Sequence, residues 1–270
     1  MGASRFGLCL SGGGRVDGPV GESGYRFANL YAPGLDGKPF RRGDIVAPVK
    51  QVADGLWQLR GFPPNAINVY LMGDVLVDAG SRYARRRILR QLKGRPVSAH
   101  ALTHAHPDHQ GASQAVCEEL GIPFWAGAGD ADAAEDPDLI RQRQPDHPTT
   151  RRMHRWLTGP GHPVARRLKE GDEIAGFKVL EVPGHSAGHV AFWREGDRVL
   201  VLGDVLTNMD VIKATPGLHE PKWFFTPDPA RNRESARRLA ALEPAVVCFG
   251  HGPVLRDTRK LVDFVEGLER

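Results

Sequence analysis

The chain has 270 residues, 41% hydrophobic and 25% charged, an ordinary globular composition with enough apolar side chains for a sizeable core in one large domain or two small ones. Its net charge of +4 permits an anionic substrate but lacks the concentrated basic face of a nucleic-acid binder, so nucleic acid is not an expected partner. Cys9, Cys117 and Cys248 are odd in number and lack C-x-x-C spacing, which argues against a disulfide framework or a thiolate metal cage and for reduced thiols.

In chain order, residues 1–24 are rich in glycine around Ser11-Gly12-Gly13-Gly14 and lack the Gly-Lys-Ser/Thr ending that a P-loop requires. Residues 1–46 read as a glycine-rich, mobile lead and 47–270 as a single domain. The apolar run 6–10 is too short for a signal-peptide core, and no run reaches membrane-spanning length. A cytoplasmic location without a membrane partner is the expectation.

From Val49 short apolar runs alternate with helical patterns, the signature of an α/β layered domain. Strands are expected at 56–59, 66–72 and 75–77, and their close spacing predicts hairpins in a mixed sheet. Ser81 is placed to cap a helix reaching about Leu92, followed by a strand at 97–102, a helix at 112–120 and an apolar run at 122–126. Between about 127 and 170 the pattern gives way to a charged, proline-bearing stretch, read as a lid-like insertion. Strands resume at 177–182, 190–193 and 199–202, and a last strand at 245–249 lies between helices at 229–242 and 258–268. Pro229 suits the first helical turn, where its missing N–H costs nothing.

The segment Thr103-His104-Ala105-His106-Pro107-Asp108-His109 places three imidazoles and a carboxylate within six residues, just past an expected strand. That density calls for a cation, and neutral imidazole with carboxylate oxygen suits zinc and other divalent first-row metals. His185 follows the run 177–182, Asp204 follows 199–202, and His251 follows 245–249. If these runs are neighbouring strands with their carboxyl ends at one edge, the four ligand groups converge where α/β folds commonly place their sites.

The H-x-H-x-D-H pattern, with Pro183-Gly184-His185-Ser186-Ala187-Gly188-His189, Asp204, His251 and Val75-Leu76-Val77-Asp78-Ala79-Gly80, resembles the metallo-β-lactamase superfamily from about Val49 onward. The resemblance implies an α/β four-layer αββα sandwich, two mixed β-sheets flanked by helices. It implies two divalent metal ions, zinc first, with manganese or iron as substitutes. By analogy His104, His106 and His185 hold the first ion, Asp108, His109 and His251 the second, and Asp204 bridges both. Asp78 and His189 then support ligands by hydrogen bonds. The implied reaction is hydrolysis, a metal-bridging hydroxide attacking the acyl carbonyl of a thioester, lactone, ester or amide. Asp204 and Asp108 are the implied catalytic carboxylates, Asp108 also shuttling a proton.

Asp204 stands where the main zinc β-lactamases carry cysteine, and His106 where flavodiiron proteins carry glutamate, which argues against both. No tyrosine follows Asp204 as in quorum-quenching lactonases, and only 252–270 follow the last ligand, where glyoxalase II enzymes have a glutathione-binding helical region. Two alternatives stay open: an oxidoreductase like the mononuclear iron persulfide dioxygenases, and a phosphodiesterase like the RNA-processing members, although no long RNA-binding arm is evident.

The stretch 127–170 carries Arg141, Arg143, Arg151, Arg152, Arg155, Arg166 and Arg167, either a solvated face or part of a lid. In the lid reading, Arg151, Arg152 and Arg155 hold an anionic small-molecule substrate and Trp223 forms a wall of its site. His100, His147, His154, His162 and His219 read as ordinary surface or hydrogen-bonded residues. Substrate identity and oligomeric state have no signature in the chain.

Overall fold

A computed structural model describes residues 49–268, so the expected N-terminal lead at 1–46 lies outside the described residues. The described chain opens with an antiparallel meander, β1 (Lys50–Ala53), β2 (Leu56–Leu59), β3 (Val69–Met72) and β4 (Val75–Val77). Its tight turns carry Gly55 and Gly73 at φ +60, a conformation glycine adopts without a Cβ penalty. Helix α1 (Arg85–Leu92) leads to β5 (Ala99–Ala101), and α2 (Pro107–Gln110) and α3 (Ser113–Leu120) lead to β6 (Phe124–Gly127). Three short helices, α4 (Ala131–Glu135), α5 (Pro137–Arg143) and α6 (Pro148–Leu157), precede β7 (Val164–Leu168). Strands β4 to β7 run parallel and complete a seven-stranded mixed sheet in sequence order.

The second sheet begins as a meander of β8 (Glu173–Ile174), β9 (Phe177–Glu181), β10 (Val190–Arg194) and β11 (Val199–Gly203). A separate hairpin follows, β12 (Thr207–Met209) with β13 (Pro216–His219), then a 3₁₀ turn at Trp223–Phe225 and α7 (Pro229–Ala240). Strand β14 (Val246–Phe249) joins β11 in parallel, and α8 (Thr258–Glu266) closes the chain's described part. No described helix is long and apolar enough to cross a membrane.

The four layers follow from the two-residue period of strands. Tyr70, Met72, Val75 and Val77 meet Phe177, Val179, Phe192 and Val201 in a core between the two sheets. Their odd-out neighbours Val69, Leu71 and Leu76 pack outward against α1 and α3, while Ala191, Leu200 and Val247 pack outward against α7 and α8. With both faces buried, these strands read as unbroken apolar runs rather than alternation.

Three sequence expectations need correction. Helix α1 starts at Arg85, not beside Ser81, and has no side-chain cap. Residues 81–84 instead form a turn closed by Ala84 N–H to Ser81 O and tied down by Arg82 N–H to Leu157 O. Residues 66–68 are not strand, because Asn68 N–H bonds Gly250 O and Ala66 O accepts from His251, drawing this backbone toward the other sheet. The insertion at 127–170 ends in β7, the edge of the first sheet, where Arg166 and Arg167 sit. An edge strand pairs on one side only, and charged residues there discourage further pairing while hiding the strand pattern.

His100 on β5 is fully buried, Nδ1 donating to Leu76 O at 3.0 Å and Nε2 lying 2.8 Å from Ser113 Oγ. Burial lowers its pKa to about 4 from 6.5. Between those pH values the unfolded chain binds the proton and the folded one does not, so stability falls as pH drops through this window. Metal-free protein is expected to lose about 3 kcal/mol more than a His100→Gln variant from pH 7 to pH 4, measured by urea unfolding.

Candidate metal centre

Every ligand-type group named from the sequence lies at one edge of the sandwich. Asp78 follows β4, His104 and His106 follow β5, His185 follows β9, Asp204 follows β11 and His251 follows β14. Because β4 and β5 are parallel, β11 and β14 are parallel, and β9 and β11 both run antiparallel to β10 between them, the carboxyl ends within each sheet share an edge. Pro107 starts α2, whose single turn brings Asp108 and His109 back over the same spot. Three overlapping groups result, His104–His106–His185, His104–His109–Asp204 and Asp108–His109–His251, each with ligand atoms within 4.8 Å of one another and all buried.

Hydrogen bonds on the far side of each ring decide which nitrogen faces the centre. Asp78 accepts from Thr103 N at 2.8 Å, from Thr103 Oγ1, and from His109 Nδ1 at 2.9 Å. With its proton committed to Asp78, Thr103 Oγ1 accepts from His104 Nδ1 at 3.0 Å. Thr226 Oγ1 likewise donates to Lys222 O and accepts from His185 Nδ1, while His251 Nδ1 donates to Ala66 O. All four rings therefore turn Nε2 inward, and in the neutral form that nitrogen is the bare one a metal requires. Asp204 Oδ2 lies 3.0 Å from His251 Nε2, 3.4 Å from His109 Nε2 and 3.7 Å from His185 Nε2.

The donor set fits divalent ions on an internal criterion. Nε2 of His104, His109 and His185 and Oδ1 of Asp204 are buried without a hydrogen-bond partner. Each such group costs about 1–3 kcal/mol, and four converging on one point are accounted for by cations. Electrostatics agree. Burial holds His104, His106 and His185 below the ordinary imidazole range, His106 at about 3, so this trio is already in the neutral form that binds metal. Burial opposes charge on His251 and His109 as well, but Asp204 with Asp108 lifts His251 to about 10, and Asp204 with Asp78 lifts His109. Against burial, the same pairing pulls Asp108 to about 2 and Asp204 well below the carboxylate range. Protons on the two histidines thus occupy the place of cationic charge, and metal uptake releases them.

His189 belongs to none of the three groups and accepts from Asp204 N at 3.3 Å, holding that carboxylate's backbone. Glycines are required beside it. A Cβ on Gly203, at φ +61, would collide with His189 Nε2, and one on Gly250 would collide with Asp204 Oδ1 and His109 Cε1.

The structure adds residues the sequence reading passed over. Asp130 accepts from Ala105 N, Ser186 Oγ and Gly188 N at 2.5–3.0 Å, tying the His104–His106 loop to the His185–His189 loop. It follows β6 beside Gly129, the same strand-then-glycine signal carried by the named ligands. Asn68 Nδ2 donates to Phe249 O and Gly252 O, fixing the His251 loop to the first sheet. Gln144 lies 2.7 Å from His106 Nε2 and 2.8 Å from His154 Nε2, so His106 turns Nδ1 to the centre. His154 is thus hydrogen-bonded, as expected, and buried, where it holds Gln144 in place. Gln144→Leu is expected to weaken metal binding about 10-fold, read by competition with a chromogenic chelator, with unchanged far-UV circular dichroism.

A cavity of about 530 Å³ opens over the centre, lined by His106, Asp108, His185, Asp204 and His251 and by residues of the β2–β3 loop, α6 and the β12–β13 hairpin. Arg151, Arg152 and Arg155 are not among its lining residues. The 3.6-residue period places them on the exposed face of α6, opposite Met153 and Leu157, which do line it, and Arg151 pairs with Asp146. Trp223 is 63% exposed and packs edge-on against His147, while its neighbours Lys222 and Phe225 line the cavity. Neither the three arginines expected to hold substrate nor Trp223, expected as a wall, lines the cavity.

Comparison with known proteins places this arrangement. Residues 62–251 match the Metallo-beta-lactamase superfamily. The probable metallo-hydrolase YflN of Bacillus subtilis is 28% identical over 197 residues, 66% of this chain and 75% of that protein. The hydroxyacylglutathione hydrolase of Methylococcus capsulatus is 33% identical over 150 residues, 54% of this chain but 45% of that enzyme. The crystal structure of a metallo-beta-lactamase family protein from Thermus thermophilus, TTHA1429, aligns with TM-score 0.59 at 27% identity, covering 80% of this chain and 79% of that one. With the match running from residue 62 through every convergent histidine, the chain belongs to the metallo-beta-lactamase superfamily and is a hydrolase of that family.

Proposed function

We propose that the protein hydrolyses an acyl bond of a small-molecule substrate, a thioester, lactone, ester or amide, at a pair of divalent ions. His104, His106 and His185 would hold one ion, Asp108, His109 and His251 the other, and Asp204 both. The observation that carries this reading is Asp204 Oδ2, within 4 Å of Nε2 on His185 of the first group and on His109 and His251 of the second. Such ions, when bound, supply a water whose pKa falls from about 15.7 to roughly 7 and a Lewis acid for the carbonyl oxygen. The nitrogen and oxygen donors suit zinc first, and manganese or iron as well.

The chain's own groups supply orientation and proton traffic. Asp78, through Thr103 and His109, and Thr226, through His185, keep the ligand tautomers fixed. Asp108 lines the cavity, is ionised at neutral pH, and is the acceptor placed to take a proton and pass it to the leaving group.

Zinc-loaded protein should cleave at least one class in a panel of thioesters, lactones, nitrophenyl esters and β-lactams, with two ions per chain. Thioesters head the panel because a hydroxyacylglutathione hydrolase is among the relatives. One iron per chain, dioxygen consumption with a persulfide and no hydrolysis would replace this reading with an oxygenase.

A further inference from the structure

Among the described residues, the cavity wall away from the metal-binding positions is mainly apolar; its charged Lys222, Asp210 and Glu220 are already engaged, and Gln144, Thr207 and His219, whose Nε2 has no partner, are its other polar groups. Ile67, Met153, Leu157, Met209, Ile212 and Phe225 contribute from four separate segments of the chain. Lys222 Nζ lies 2.7 Å from Asp210 Oδ2, and Asp210 also accepts from Ile212 N and Lys213 N. Glu220 accepts from Arg233 Nε at 2.6 Å and Nη2 at 3.1 Å. An anionic tail would have to draw Lys222 from a carboxylate that three donors hold in place. Ile212, one of five exposed large hydrophobic side chains among the described residues, is part of the same wall.

We infer that the substrate carries an uncharged apolar acyl chain, seated between α6 and the β12–β13 hairpin. The inference rests on the acyl-hydrolase reading and narrows it to a substrate class. The cavity's 530 Å³ lies within the usual range for small-molecule sites, and apolar walls with a few convergent polar groups are their common form. A fully buried methylene strengthens binding about fourfold, so burying half of six added methylenes gives roughly 60-fold.

Calorimetric titration of zinc-loaded protein with acetohydroxamate, octanohydroxamate and 7-carboxyheptanohydroxamate tests this without requiring turnover. Octanohydroxamate is expected to bind about 60-fold tighter than acetohydroxamate, and the terminal carboxylate to remove most of that gain. Met153→Glu and Ile212→Glu should shrink the octano/aceto affinity ratio at least about fivefold relative to wild type. Equal affinities for the two chain lengths, or tighter binding of the carboxylated compound, overturn the inference. Nitrophenyl acetate and octanoate assayed in parallel separate the two levels. Chain-length-dependent binding with no turnover of any acyl compound supports the apolar site and overturns the reaction, whereas turnover indifferent to chain length does the reverse.

Discussion

Replacing Asp204 by alanine is expected to lower bound metal from two ions to one or none and to cut kcat/KM by at least about 10³-fold, on the order of 4 kcal/mol of transition-state stabilisation. Asp204 is only 4% exposed, and Oδ2 faces Nε2 atoms of both histidine groups. Asp108, by contrast, groups only with the second set, His109 and His251, lying 3.2 Å from His251 Nε2. Alanine also removes the larger of the carboxylate charges that raise the pKa of His109 and His251, leaving only Asp78 and Asp108 to compensate their burial. Metal analysis after gel filtration and kinetics on the best panel substrate measure the effect. A folded variant with two ions and undiminished turnover would refute the shared-ligand role.

Asp78→Asn should weaken metal binding about 100-fold while leaving the backbone in place. Asp78 sits at φ +61, which asparagine tolerates, so strain does not confound the test. The carboxylate accepts from Thr103 N, Thr103 Oγ1 and His109 Nδ1 at once. An amide has a single acceptor oxygen, and its NH₂ turned to His109 demands a bare Nδ1, which moves the proton to Nε2 and blocks ligation. The Thr103–His104 hydrogen bond depends on the same acceptor, so one substitution disturbs a ligand of each proposed ion. Isothermal titration of zinc into metal-free protein should show both affinities reduced. Wild-type affinity for each ion would leave Asp78 a structural cap only.

Much of the site was legible because its residues follow apolar runs. His104 to Asp108, His185, Asp204 and His251 each stand just past a strand, and parallel strands must deliver such residues to one edge. The family resemblance then distributed them between two ions. Asp130 carries the same signal after β6, yet a lone aspartate in an alanine- and glycine-rich turn resembles an ordinary loop residue. Gln144 and His154 had no signal, because their role depends on how α5 and α6 fold back onto His106.

The arginine-rich stretch shows the opposite limit. Its charge density drew attention to Arg151, Arg152 and Arg155, but the helical period turns them to solvent and gives the cavity Met153 and Leu157. Sequence by itself determined the α/β class, the strand-end positions of the ligands and the donor chemistry, because strand periodicity and ligand type are local properties. Tertiary structure alone decided which nitrogen each histidine presents, which charges cancel and what lines the cavity. Those depend on hydrogen bonds and packing between residues as far apart as Ala66 and His251, and no local pattern encodes such a contact.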